Sequence, residues 1–296
     1  MLSRIMIYLK EMYPPIHFFG TYIYVFICAA ALGTHLDNFS FVFDVKLHIA
    51  AFSVCMMSLM VRIMDEFKDY EDDLKNYPDR PLPSGRVLKK DLKVLQTFVI
   101  SSFMILSLYN KSVFIAACIC LIYGILMYKW FFMEEKMRKS LPLAFASHNP
   151  VVLFYFGYIC TVLFEQGYLI DMKTTLIGIP LALTMTNWEI SRKLRAPKDE
   201  TEYTTYTKIW GLKNATLASC FVQTLIMIGV TIFLVQEKVS AYVLAVYIPL
   251  ALFIMSKYFH FMKTHEHKKH FKLYAEDTAL ITQLSVLAGA VLRIVW

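Results

Sequence analysis

Glycine and proline are scarce, with ten of each in 296 residues, and charged residues make up only 18% of the chain against 57% hydrophobic. So little polar surface excludes an ordinary soluble domain, and so few breakers leave room for long uninterrupted helices. The cysteines Cys28, Cys55, Cys118, Cys120, Cys160 and Cys220 show no Cys-x-x-Cys or other metal-ligand spacing. All fall in apolar stretches, so they read as small buried hydrophobes rather than disulfides or zinc ligands. The segment from Met1 to Tyr13 carries Arg4, Lys10 and Glu11 but no small-residue cleavage site, which suits a weakly amphipathic lead-in helix better than a signal peptide. A net charge of +7 finds no soluble basic module to carry it, which excludes nucleic acid as a partner.

What the chain has instead is apolar runs of membrane-spanning length. They fall at about 16–33, 46–64, 92–110, 112–132, 142–164, 174–190, 214–236, 239–261 and 278–295. In lipid each run must satisfy its own backbone, so each is expected to be a helix. The fold class is therefore all-α: a polytopic membrane protein, a single domain over 1–296, with nine transmembrane helices around a central cavity opening near the cytoplasmic side. A re-entrant segment would lower the count to eight.

Charge placement supplies the orientation. Cations follow the even-numbered spans: Arg80, Arg86, Lys89 and Lys90; Lys129, Lys136, Arg138 and Lys139; Arg192, Lys193, Arg195, Lys198 and Lys208; Lys263, Lys268, Lys269 and Lys272. The connections at 34–44, 109–111, 165–173 and 236–238 nearly lack them. The positive-inside rule then places the N-terminus and the long, cation-rich loops, 65–90 and 187–213 among them, in the cytoplasm and Trp296 on the opposite side, a parity that an odd helix count satisfies. The same cations attract anionic membrane lipid. His260, His265, His267 and His270, interleaved with lysines that would repel a metal, read as a solvated or lipid-facing connector.

Two cytoplasmic connections, 65–90 and 187–213, carry the chemistry; four helices separate them, which hints at internal duplication. In the first, Asp65, Asp69 and Asp73 recur every four residues and so share one helical face, with Glu66 beside it. Such acids repel one another and are costly beside a membrane, so a cation is expected among them. Mg²⁺ suits a few carboxylates and a phosphate. Lys68 with Asp72, and Glu71 with Lys75, are expected to pair on the outer face. Arg80-Pro81-Leu82-Pro83-Ser84-Gly85 then turns the chain, placing Arg80 to swing back towards the carboxylates or a bound phosphate.

The run Asp65-Glu66-x-x-Asp69-x-x-x-Asp73 followed by this Arg-Pro turn resembles the first signature of the UbiA-type intramembrane prenyltransferases, Asn-Asp-x-x-Asp-x-x-x-Asp before Arg-Pro-Leu/Ile-x-x-Gly. Here Asp65 stands for the usual Asn and Glu66 for the usual Asp; both changes keep an oxygen ligand. The second connection matches less well. Thr204, Thr205, Thr207 and Gly211 resemble the family's ending, and counting back from Gly211 puts Asp199 near its last acid. Asn187, Glu189 and Ser191 supply oxygens where earlier acids are missing, while Arg192, Lys193 and Arg195 supply charge. Asn187-x-x-x-Ser191-x-x-x-Arg195 is also similar to the Asn/Ser/Glu metal motif of class I terpene cyclases, with Arg195 where Glu belongs.

The resemblance implies Mg²⁺-dependent ionisation of an isoprenyl diphosphate. The metal would be held by Asp65, Glu66, Asp69 and Asp73, and a second by Asn187, Glu189 and Asp199. Arg80, Lys129, Arg192 and Arg195 would meet the diphosphate, and His148 and Asn149, at a Pro150 interruption of the fifth span, the diphosphate or an acceptor. That acceptor would be aromatic or otherwise lipophilic, a quinone precursor for example, with Asp65 or Glu66 taking its proton. Tyr22, Tyr24, Tyr123, Tyr128, Tyr155, Phe156 and Trp188 are candidates to line a prenyl channel. Two rivals follow: a UbiA-type terpene cyclase needing no acceptor, and a transporter with an acidic gate. The Asp-Gly-x-x-Ala-Arg opening of the CDP-alcohol phosphotransferases is missing.

Overall fold

Runs of Leu, Ile, Val, Phe, Met and Ala without breakers fold as helices throughout a computed structural model that describes residues 1–33, 39–170, 175–200, 204–236, 241–267 and 270–295. In chain order they are α1 (Leu2–Met12), α2 (Pro15–Leu32), α3 (Val45–Lys68), α4 (Tyr70–Asn76), α5 (Lys89–Ser107), α6 (Lys111–Tyr128), α7 (Glu134–Lys139), α8 (Leu141–His148), α9 (Val151–Glu165), α10 (Gly178–Ser191), α11 (Tyr206–Gln236), α12 (Ala241–Thr264) and α13 (Phe271–Val295). Among the described residues there is no strand. Helix starts carry the expected local signals. Asp44 accepts from Lys46 N at 2.8 Å to open α3, and Asn110 accepts from Ser112 N at 2.8 Å to open α6.

Seven segments among the described residues are long and apolar enough to cross a membrane: Pro15–Leu32, Val45–Lys68, Lys111–Tyr128, Leu141–Glu165, Tyr206–Gln236, Ala241–Thr264 and Phe271–Val295. The protein is an integral membrane protein. The nine expected spans are not all matched by this measure. The stretch expected at 92–110 falls mostly in α5, whose first five residues include Lys89, Lys90, Asp91 and Lys93; that expected at 174–190 overlaps α10, only 14 residues long. The expected site for the C-terminus, Trp296, and Lys268 and Lys269 of the histidine-rich connector lie outside the described residues. So do parts of the cation-poor connections at 34–44, 165–173 and 236–238.

The chain forms two compact units. The first comprises residues 1–26 and 40–167, the second 27–39 and 168–296. In the first, α3 is the central helix, packing against α5, α6 and α9. Its Leu47, Ala50, Val54, Met57, Met60 and Ile63 are all buried, a stripe that turns the C-terminal end of the helix, with its acids, into the body of the unit. In the second, α10, α11 and α13 pack together, with α12 against α11 and α13. Outward faces are apolar, as lipid contact requires: Ile115, Ile119 and Ile122 on α6, and Phe221, Ile228 and Ile232 on α11, are exposed.

The crossing of α10 and α11 depends on one glycine. A Cβ on Gly229 would sit 2.9 Å from Pro180 Cγ and 3.0 Å from its Cβ. A proline ring cannot swing aside, so Gly229→Ala is expected to destabilise the protein by roughly 1–3 kcal/mol. Thermal unfolding of the purified protein in detergent would measure this; an unchanged midpoint would contradict the close crossing.

Candidate active site

The acidic segment begins in the last turn of α3. Helix α3 ends at Lys68 and α4 starts at Tyr70, with Asp69 at the joint (φ −99°, ψ 11°). The break does not cost the register. Asp69 N bonds Asp65 O at 2.9 Å, Asp73 N bonds Asp69 O at 2.9 Å and Tyr77 N bonds Asp73 O at 2.8 Å. The three aspartates therefore follow one another at helical spacing, as the sequence implies.

Their side chains have different partners. Glu66 is 1% exposed and its Oε1 accepts from Arg62, while its Oε2 is buried with no hydrogen-bond partner among the described residues. Asp65 pairs with Lys68 at 2.8 Å, where the sequence suggests Lys68 with Asp72. Lys68 turns inward because its ammonium lies over the Trp130 ring, 4.7 Å from the centroid, and Asp72 is taken by Arg138 at 2.5 Å. Asp69 forms no ion pair among the described residues. Burial pushes its carboxyl up to about 6; Lys68 pulls the other way, and Asp65, Asp73 and Asp72 add to the rise.

Arg80 does swing back. Its Nη1 donates to both carboxylate oxygens of Asp73, at 2.7 and 2.8 Å, and its guanidinium lies 3.9 Å from the centre of the Tyr77 ring. The turn that aims it is tight: Ser84 N bonds Arg80 O at 3.0 Å, Val87 N bonds Pro81 O at 2.9 Å, and Leu82 and Val87 are buried beneath. Gly85 adopts φ +75°, a left-handed conformation that an L side chain resists.

Sequence reasoning missed Trp130. Trp130, Phe131 and Phe132 all take left-handed backbone, with φ of 51°, 49° and 59°. Three consecutive non-glycine residues in that region are strained, and such strain persists only where surroundings impose it. Here the turn lays the indole beneath Lys68 on one hand and Arg138, 5.0 Å from its centroid, on the other. Both cations in turn hold acids of the segment. The run of aromatics directly after Lys129 is the signal that could have found it. Lys129 caps α6 and is exposed, with its ammonium 5.1 Å from the Tyr128 ring. His148 closes α8 as the Pro150 interruption suggests; its Nδ1 lies 2.9 Å from Ala144 O and its ring meets Trp130 and Phe131 edge-on. Asn149 caps the same helix.

In the second unit, the oxygens of the second connection do not form one cluster. Asn187 is buried in a hydroxyl network: Ser191 Oγ lies 3.5 Å from Asn187 Oδ1, 2.9 Å from the Tyr258 hydroxyl and 3.3 Å from Ser219 Oγ. Glu189 pairs with Arg192 at 2.5 Å and Lys193 at 3.2 Å. Asp199 is exposed and lies 3.4 Å from His267 Nε2. The acid gathered with the threonines is its neighbour Glu200, which accepts from Thr205 at 2.8 Å and from Thr207. Arg195 donates its backbone N–H to Thr207 at 3.3 Å. Gly211, at φ +75°, breaks α11 just beyond.

Among the described residues, no three His, Cys, Asp or Glu side chains meet where they alone could hold a metal ion. Mg²⁺ does not require that, because it takes one or two carboxylates and completes its shell with water and phosphate. The first segment fits it on two observations: the orphaned, buried Glu66 Oε2 and the desolvated Asp69 carboxyl. Both are hard oxygen donors of the kind Mg²⁺ prefers.

Among curated proteins no sequence matches the chain. A solved structure described in work on digeranylgeranylglyceryl phosphate synthase in membranes is similar in fold, with a TM-score of 0.60 and 17% identity, over 99% of this chain and 100% of that one. The model of the UbiA prenyltransferase family matches residues 20–282, which include both connections, five of the spans in full, most of Pro15–Leu32 and about half of Phe271–Val295. This membrane-embedded chain belongs to the UbiA prenyltransferase family.

Proposed function

We propose that the protein is a Mg²⁺-dependent prenyltransferase that ionises an isoprenyl diphosphate and passes the prenyl group to an aromatic or other lipophilic acceptor, such as a quinone precursor. The observation that carries this reading is the acidic segment of the first unit. A desolvated Asp69, without an ion pair among the described residues, lies in a run whose neighbours already hold Lys68, Arg62 and Arg80. Carboxylates that repel one another and cations that can hold phosphate are both needed to bind a metal diphosphate, and neither alone would be.

Asp65, Glu66, Asp69 and Asp73 would hold Mg²⁺, which when bound neutralises charge on the diphosphate leaving group. Arg80 and Lys129 bind phosphate oxygens; Arg80 presents a planar fork suited to them, Lys129 a mobile point charge. The carbon–oxygen bond breaks with its electron pair going to the diphosphate. The apolar helices keep water from trapping the allylic cation as an alcohol. The acceptor's electron pair forms the new bond to that carbon, and its proton passes to Asp65 or Glu66. His148 and Asn149 would orient the acceptor or the diphosphate. In the second unit, Asn187, Glu189 and Asp199, each with partners of its own, would serve as separate oxygen donors to Mg²⁺ or its waters, and Arg192 and Arg195 as further cations for phosphate. The positive-inside rule places both connections on the cytoplasmic side.

Incubation of the purified protein with C10 to C20 prenyl diphosphates and Mg²⁺, with and without aromatic acceptors, tests the reading. A prenylated acceptor together with released diphosphate is the expected result. A cyclic hydrocarbon formed without acceptor would instead establish a cyclase, and solute flux without diphosphate release a transporter.

A further inference from the structure

Helix α1 precedes the residues that the family model matches, yet it is fastened to the acidic segment's surroundings at both ends. Arg4 donates to Asp91 at 2.6 and 3.0 Å. Glu11 accepts from Arg86 at 2.5 and 2.9 Å, and Arg86 also donates to Asp79 O at 2.6 Å. Asp79 and Arg86 flank the turn that aims Arg80. Between these two anchors, Ile5 and Tyr8 face inward, one helical turn apart.

Tyr8 is the anomaly. Its side chain is 0% exposed, and its hydroxyl has no hydrogen-bond partner among the described residues. Arg62, Glu66 and Asp65 all act on it electrostatically. Phenylalanine would fill the same volume without leaving a buried hydroxyl unsatisfied, a destabilising arrangement. The orphaned Glu66 Oε2 belongs to the same neighbourhood. Two unsatisfied buried polar atoms whose side chains influence one another indicate a ligand that satisfies them.

We infer that α1 is a wall of the diphosphate site and that Tyr8 is a binding residue, donating its hydroxyl hydrogen to an oxygen of the bound Mg²⁺–diphosphate group beside Glu66. That oxygen belongs either to the diphosphate or to a metal-bound water; both present a lone pair to the phenol. Burial pushes the Tyr8 phenol well above its ordinary range, so it stays protonated and serves only as donor at working pH. This inference rests on the proposed diphosphate chemistry.

The test compares wild type with Tyr8→Phe in the full-length protein, titrating Mg²⁺ alone and then inorganic pyrophosphate at saturating Mg²⁺, with binding read by thermal shift. The expected result is unchanged or higher stability without ligand and roughly 10- to 100-fold weaker binding in Tyr8→Phe. Weakening already present with Mg²⁺ alone assigns the hydrogen bond to a metal-bound water; weakening only with pyrophosphate assigns it to the diphosphate. Equal affinities in wild type and Tyr8→Phe for both probes would overturn the inference and leave Tyr8 a packing residue. Failure of wild type itself to bind either probe would instead overturn the diphosphate reading.

Discussion

Asp73→Asn is expected to slow diphosphate release from a prenyl diphosphate by roughly 10²- to 10³-fold, the scale of loss when one charge-stabilising group is removed from a preorganised site. The size follows from two roles in one side chain. Asp73 is a candidate Mg²⁺ ligand, and both of its oxygens accept from Arg80 Nη1, at 2.7 and 2.8 Å. Asparagine keeps the shape but loses the charge that fixes the guanidinium. Among the described residues only Nη1 of Arg80 is engaged, so its other nitrogens face no competitor for a phosphate. Arg80→Ala is therefore expected to raise KM for the prenyl diphosphate by about tenfold or more. Because the two groups touch, their effects will not add. The double variant Asp73→Asn/Arg80→Ala should be little slower than the worse single variant. Full additivity, with each variant unfolding like wild type, would mean that the pair does not act as a unit. Full activity of Asp73→Asn at limiting Mg²⁺ would remove Asp73 from the metal's ligands.

That pair is legible in the amino-acid sequence. Aspartates four apart put their carboxyls on one face, and an Arg followed by Pro-Leu-Pro-Ser-Gly has little choice but to turn back. The fold keeps both features, even across the helix joint at Asp69. The pairing of Lys68 is not legible, since spacing alone offers Asp65 and Asp72 equally. The indole of Trp130 decides it, and Trp130 reaches that position only through a left-handed turn of three aromatic residues. No propensity marks aromatic residues for positive φ; tertiary packing imposes it. The second connection shows the same limit. Counting back from Gly211 favours Asp199, yet the threonine hydroxyls gather around Glu200, because a three-residue turn at Pro197–Asp199 changes which acid faces them. Helicity itself is plain from apolar runs, but the number of spans is less so, since α5 combines charged first-turn residues with an apolar remainder.

Asp69 gives the second large effect, one of pH. Folding moves its carboxyl from the ordinary 3.8 up to about 6, chiefly through burial. Between those values the folded protein binds more protons than the unfolded chain, so this group favours the fold below pH 4 and that advantage is lost as pH climbs through 6. Two pH units correspond to roughly 3 kcal/mol. Without Mg²⁺, the unfolding midpoint should therefore fall between about pH 4 and pH 7. A divalent cation at the acids supplies the missing counter-charge, so the stabilisation produced by Mg²⁺ should grow over the same interval and apparent Mg²⁺ affinity should rise through about pH 6. Asp69→Asn removes the titrating group without changing its size. Its metal-free midpoint should be flatter with pH and higher at about pH 7 than that of wild type, while its Mg²⁺ response is largely lost. Were Asp69→Asn to keep both the pH slope and the Mg²⁺ response, the cost of the acidic run would lie in Asp65, Glu66 and Asp73, whose cationic partners Lys68, Arg62 and Arg80 would then be insufficient to balance them. The surroundings of Asp69 argue otherwise: among the described residues it is the one of these four acids without an ion pair, and an unbalanced, desolvated carboxylate is what a metal-binding site must hold in reserve.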